Sequence, residues 1–99
     1  MKVDIRFVNA VQNDSLELQL NEKLESLERK YDWIVDALVF FKEEKHPNEE
    51  NYVCEIKLSV PGQQLFASSN EINFNKSINQ SIHQLGIQLE KLKAKMIAH

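Results

Sequence analysis

Lys91, Lys93 and Lys95 are the residues whose type and spacing offer the most chemistry in this chain. They place three ammonium groups within five residues, with Glu90 as the one carboxylate beside them. Cations grouped in this way at the end of a helix suit the phosphates of a polyanion. They also have a purely structural reading, because basic side chains near a helix C-terminus complement the helix dipole and help satisfy its last carbonyls. Catalytic chemistry finds less to work with. His46, His83 and His99 have no metal-ligand spacing to one another. Cys54 alternates with apolar residues, the pattern of a small buried side chain rather than a nucleophile. Glu43-Glu44 and Glu49-Glu50 flank a polar stretch and read as solvated, and no glycine-rich phosphate loop is present. The sequence therefore points away from an enzyme, and no cofactor, metal or small-molecule substrate is expected.

The lysines need an element to carry them. Ile78, Ile82, Leu85, Leu89, Leu92 and Met96 recur at steps of four, three, four, three and four. This spacing predicts one amphipathic helix from Phe74 to the chain end, capped by Asn70 or Asn73, with one apolar stripe. Upstream, Val3, Ile5 and Phe7 alternate with Lys2, Asp4 and Arg6, as in a half-buried strand. Asn13-Asp14-Ser15 supplies N-cap chemistry for a helix over 14–30 with its stripe at Leu16, Leu20, Leu24, Leu27 and Tyr31. A β-branched and aromatic run predicts a second strand over 34–42, with Leu38 and Phe40 on the face away from the helices. Residues 45–51 read as a mobile polar loop, and Tyr52 to Val60 as a third strand. Pro61-Gly62 is a turn signal leading to a short fourth strand over 65–69. The first two strands, joined by a helical crossover, should be parallel, and strands two to four an antiparallel meander. The expectation is an α+β fold: a two-layer β-α-β-β-β-α domain over 1–99, with a four-stranded mixed sheet and both helices on one face.

Composition narrows the partner. The 42% hydrophobic and 27% charged content is that of an ordinary globular domain. No apolar run is long enough to span a membrane, the start Met1-Lys2-Val3-Asp4 lacks a signal-peptide core, and the lone cysteine fits a reducing compartment. A cytoplasmic protein without membrane contact is expected. The net charge of -3 excludes a whole-molecule attraction to nucleic acid, so only a patch could hold one. The charge is uneven: residues 33–75 carry -4, whereas residues 76–99 carry +3.

The run Glu22-Lys23-Leu24-Glu25-Ser26-Leu27-Glu28-Arg29-Lys30-Tyr31-Asp32-Trp33-Ile34, followed by a strand closing on Lys42, resembles the short ribosome hibernation-promoting factors. These are also called ribosomal subunit interface or sigma-54 modulation proteins. Their pattern there is K-x-x-x-L-x-x-x-[FY]-[DE]-x-[IV], then a hydrophobic strand ending in lysine. Val60-Pro61-Gly62, Leu65-Phe66-Ala67 and the ending Gln88-Leu89-Glu90-Lys91-Leu92-Lys93-Ala94-Lys95 are similar to the family's turn, fourth strand and R-Q-[LI]-x-K-[HY]-K-x-K terminus. The resemblance implies a non-enzymatic protein that binds the small ribosomal subunit between head and body. There it would occupy the decoding centre through ribosomal RNA and stop translation when growth slows. It implies nucleic-acid-binding roles for Lys23, Lys42, Lys91, Lys93 and Lys95. With the chain ending at His99, the extra dimerisation domain of long members would be lacking.

This chain also departs from the pattern. Gly86, Ile87 and Gln84 stand at commonly basic positions, Leu92 replaces a frequent histidine, and Ser68-Ser69 stands where lysines are common in one branch. A few lost phosphate contacts weaken binding by powers of ten at moderate salt. This leaves an alternative: a divergent paralogue acting as a protein-interaction or self-associating module, a homodimer through the open sheet face around Leu38 and Phe40. The ribosomal reading requires the lysines to gather on one ridge, free of carboxylates.

Overall fold

The computed structural model of the chain describes residues 1–45, 47, 49 and 51–97, the last of these in its backbone alone. Strand β1 (Lys2–Val8) is followed by helix α1 (Asp14–Lys30), β2 (Asp36–Glu43), β3 (Tyr52–Val60), β4 (Gln63–Glu71) and helix α2 (Phe74–Ile97). The strands lie in the order β1-β2-β3-β4, with β1 parallel to β2 and the remaining neighbours antiparallel. This is the expected two-layer α+β architecture.

Strand register explains why both helices share one face. Val3, Ala37, Leu58 and Leu65 form one row across the sheet, and Ile5, Val39, Ile56 and Ala67 the next. Phe7, Phe41, Cys54 and Ser69 form a third. Because side chains alternate along a strand, these rows point to the same side. Leu16, Leu20, Leu24, Leu27 and Tyr31 of the first helical stripe close over them, together with Ile78, Leu85 and Leu89 of the second. Fully burying one such side chain contributes about 1.5–3 kcal/mol.

Local signals set the element ends. The Asn13 side chain accepts from the amides of Ser15 and Leu16 at 2.9 and 3.2 Å, which starts α1. Of the two candidate caps for α2, Asn73 is used: its side chain accepts from the Lys76 amide at 2.8 Å. Gly62 adopts φ +82°, the conformation the Pro61-Gly62 turn requires.

Three features differ from the sequence expectation. The second strand begins at Asp36 rather than Ile34, because the Ile34 amide turns back to the Tyr31 carbonyl at 3.2 Å. The fourth strand runs from Gln63 to Glu71, well beyond 65–69. Its extension is polar, and its inward Ser69 is buried against α2 rather than against an apolar neighbour. Met96, the last member of the α2 stripe, is 45% exposed, since the helix has outrun the sheet beneath it. Of the loop at 45–51, His46, Asn48 and Glu50 fall outside the described residues, as do Ala98 and His99.

Candidate nucleic-acid interface

The sides of α2 are fixed by what each touches. Ser77 and Ser81, both buried, donate to the carbonyls of Tyr52 and Cys54, the latter at 2.6 Å, and tie the helix to β3. Gln84 donates to the Ser68 carbonyl at 3.3 Å and to the Ser69 hydroxyl at 3.0 Å, and Gln88 to the Phe66 carbonyl at 2.9 Å. These carbonyls lie on the outer edge of β4, an unpaired strand edge that the two amides cover. Gln84, read from sequence as a lost basic contact, thus has a structural task.

Lys91 and Lys95 continue the line of Gln84 and Gln88 at steps of three and four. They therefore share the β4-edge flank, and both are exposed. Lys93 does not join them. Two residues from Lys91, it is turned by about 200° around the axis. Its Nζ lies 5.8 Å from the centre of the Tyr31 ring. Lys30, from the last turn of α1, reaches the same ring at 5.8 Å. The three lysines do not form a single ridge. They surround one end of a helix, with Lys30 added from its neighbour. Among the described residues, none of Lys23, Lys91, Lys93 and Lys95 is in an ion pair.

Tyr31 organises this end of the molecule. Its hydroxyl donates to Glu90 Oε2 at 2.6 Å, linking the two helix ends. That bond, with burial of the side chain, pushes the phenol up to about 12. The same hydrogen bond, with Lys93 and Lys30 close by, holds the Glu90 carboxyl below its usual range. The carboxylate that accompanies the lysines in sequence is therefore occupied by a phenol. Gly86 and Ile87 line the groove between the helices here, with Leu27 and His83. A Cβ at Gly86 would meet nothing within 4 Å, so no close helix contact requires a glycine there.

Lys23 is exposed on α1, seven residues before Lys30 and hence on the same side of that helix. Lys42 is elsewhere. It projects from β2 on the face away from the helices, where its Nζ pairs with Glu55 Oε1 at 2.6 Å. The structure thus brings Lys91, Lys93 and Lys95 to one end and sets Lys23 along the neighbouring helix. It separates Lys42 from all of them. Lys30 was missed by sequence reasoning, although its position seven residues after Lys23 was a usable signal.

The remaining candidates are quiet. Cys54 is fully buried, and burial pushes its thiol up to about 12. Among the described residues, no group of His, Cys, Asp or Glu is arranged to hold a metal ion, and no helix is long and apolar enough to cross a membrane. On the open sheet face, Leu38 and Phe40 are half-buried rather than displayed. The Arg6 guanidinium lies 5.9 Å and the Lys42 ammonium 5.6 Å from the centre of the Phe40 ring.

Comparison with known proteins agrees with this architecture. A sequence profile of the family described as sigma 54 modulation protein / S30EA ribosomal protein matches residues 3–97. A ribosomal subunit interface protein from Coxiella burnetii superposes with a TM-score of 0.85 at 20% identity, covering 95% of this chain and 99% of its own. The N-terminal domain of Protein Y from Thermus thermophilus superposes with a TM-score of 0.78 at 18% identity, covering 93% and 99%. No curated protein matches the chain in sequence. The chain belongs to the sigma 54 modulation / S30EA ribosomal protein family.

Proposed function

We propose that this protein is a cytoplasmic ribosome-associated inhibitor of translation. It binds the small subunit near the decoding centre through ribosomal RNA, and it needs neither cofactor nor catalysis. The single lysine ridge expected from the sequence is absent, with Lys93 turned to Tyr31 and Lys42 paired with Glu55; what supports the reading instead is the lysine-bearing end of α2. Lys91 and Lys95 are exposed and outside any ion pair with described residues, and Tyr31 engages the one neighbouring carboxylate. Family membership supports it, as does the likeness in fold to a ribosomal subunit interface protein. A rigid helix end carrying ammonium groups suits RNA that is read by backbone and shape. Lys23 and Lys30 extend the surface along α1, and the chain acts as a single domain.

The self-associating alternative draws on the open sheet face. Leu38 and Phe40 are half-buried, and Arg6 and Lys42 lie over the Phe40 ring, so these two residues offer a second copy little apolar area. The test is sedimentation of stationary-phase extracts at low salt. The protein is expected with the small subunit or whole ribosomes, and replacement of Lys91, Lys93 and Lys95 by glutamate is expected to return it to the top of the gradient. A wild-type protein found only at the top would overturn the proposal.

A further inference from the structure

The open face of the sheet carries a second cationic surface with its own aromatic centre. Phe66, on β4, is 50% exposed, while its inward neighbours Leu65 and Ala67 are buried. It is not a loose side chain, because Gln88 of α2 holds the Phe66 carbonyl at 2.9 Å and so fixes the strand beneath the ring. Lys57 stands directly opposite on β3, exposed and in no ion pair with a described residue. One strand further, Phe40 gathers Arg6 and Lys42 over its ring. A solvent-facing aromatic anchored on a sheet, with cations at intervals across the adjoining strands, is the arrangement on which unpaired bases stack while their phosphates meet lysine and arginine.

We propose that this face binds single-stranded RNA, with Phe66 as the stacking platform and Lys57, Lys42 and Arg6 along the phosphate path. The surface lies on the opposite side of the sheet from the helix lysines, so one molecule presents a backbone-reading end and a base-stacking face. Lys42, which stands apart from the helix lysines, acquires a place here. The Arg6–Asp4 pair at 3.0 Å is an exposed contact that phosphates can compete for, while Lys42, 32% exposed in its pair with Glu55, is only partly reachable. This face carries Lys2, Arg6, Lys42 and Lys57 against Asp4, Asp36 and Glu55, a margin of one positive charge; because Lys57, outside any ion pair with a described residue, stands beside the exposed ring, a phosphate is accommodated there where the Lys57 of a second copy would be repelled.

The proposal stands apart from the ribosomal reading and fails separately from it. The experiment titrates the full chain into a labelled oligouridine of about twelve nucleotides, and into an RNA duplex of equal length, at low salt. The oligouridine should bind more tightly than the duplex. Phe66→Leu should weaken it about tenfold, and Phe66→Trp should restore it, because leucine keeps the apolar volume and only tryptophan keeps the stacking face. Phe66 is surface-exposed, so neither variant threatens folding. In Lys91→Ala/Lys95→Ala the difference between Phe66 and Phe66→Leu should persist, and Phe66→Leu should sediment with ribosomes as the unchanged chain does. Equal affinities for Phe66 and Phe66→Leu would overturn the proposal, as would the absence of oligouridine binding. A concentration-dependent dimer that Phe66→Leu dissolves would overturn it too, by giving the face to a second copy.

Discussion

The first sixteen residues of α2 and its last eight follow the same apolar period but lead different lives. In the first part, Ile78, Leu85 and Leu89 are fully buried, and Ser77, Ser81, Gln84 and Gln88 each bond to a strand. In the second, Leu92 is half-buried, Met96 is 45% exposed, and three lysines surround the axis. Periodicity dictates that a helix forms, but the length of the sheet below decides how much of its stripe is core. What projects past the sheet is available to a partner. The lysines are concentrated there, at the negative end of the helix dipole, where they also favour the helix itself.

Truncating the stripe at its two ends puts this contrast under the greatest strain. Leu85→Ala is expected to cost about 2–5 kcal/mol through lost burial and the cavity left behind, whereas Met96→Ala should stay within about 0.5 kcal/mol. Urea unfolding checks both, and comparable losses would mean that the helix end is packed after all. Ser81→Ala comes next. It leaves the Cys54 carbonyl without its helix donor in a buried position, at a cost of about 1–3 kcal/mol in the same assay.

Sequence alone could supply the elements but not the contacts between them. The Asn13 cap, the leucine stripes and the Pro61-Gly62 turn are local signals, and each appears where the residues place it. The pairing of Lys42 with Glu55 depends on strand register, and the bonds of Gln84 and Gln88 to β4 depend on where a helix docks. Such long-range relations leave no mark on spacing. The fourth strand looked short for a related reason. Its polar ends, Gln63, Gln64, Asn70 and Glu71, are placed by pairing with Val60, Ser59, Val53 and Tyr52 of β3, so hydrophobic alternation stops before the strand does. The expected lysine ridge failed on arithmetic that was in fact legible, because residues two apart on a helix face different ways.

Gly86→Ala is a smaller and opposite test. With nothing within 4 Å of the added methyl, it should stabilise the protein by up to about 1 kcal/mol, seen as a raised unfolding midpoint. Destabilisation would instead indicate a tight groove between the helices. The least effect is expected from Tyr31→Phe, and it is visible mainly as a change in pH dependence. The depressed Glu90 carboxyl contributes stability above the unfolded value of about 4.3, lost as pH falls through its lower folded value. The raised Tyr31 phenol contributes stability below about 10, lost as pH rises through about 12. Melting curves of Tyr31→Phe across pH should therefore change less at both extremes than those of the unchanged chain. Identical profiles would show that the link between the helix ends does not matter.

The salt dependence of binding to purified small ribosomal subunits tests the central claim most directly. If the projecting end of α2 grips RNA phosphates, affinity should fall steeply and linearly with salt on logarithmic axes. Lys91→Ala/Lys95→Ala should flatten that slope by roughly 1.4–1.8, two phosphates' worth. A double variant whose slope and affinity match the unchanged chain would contradict the account.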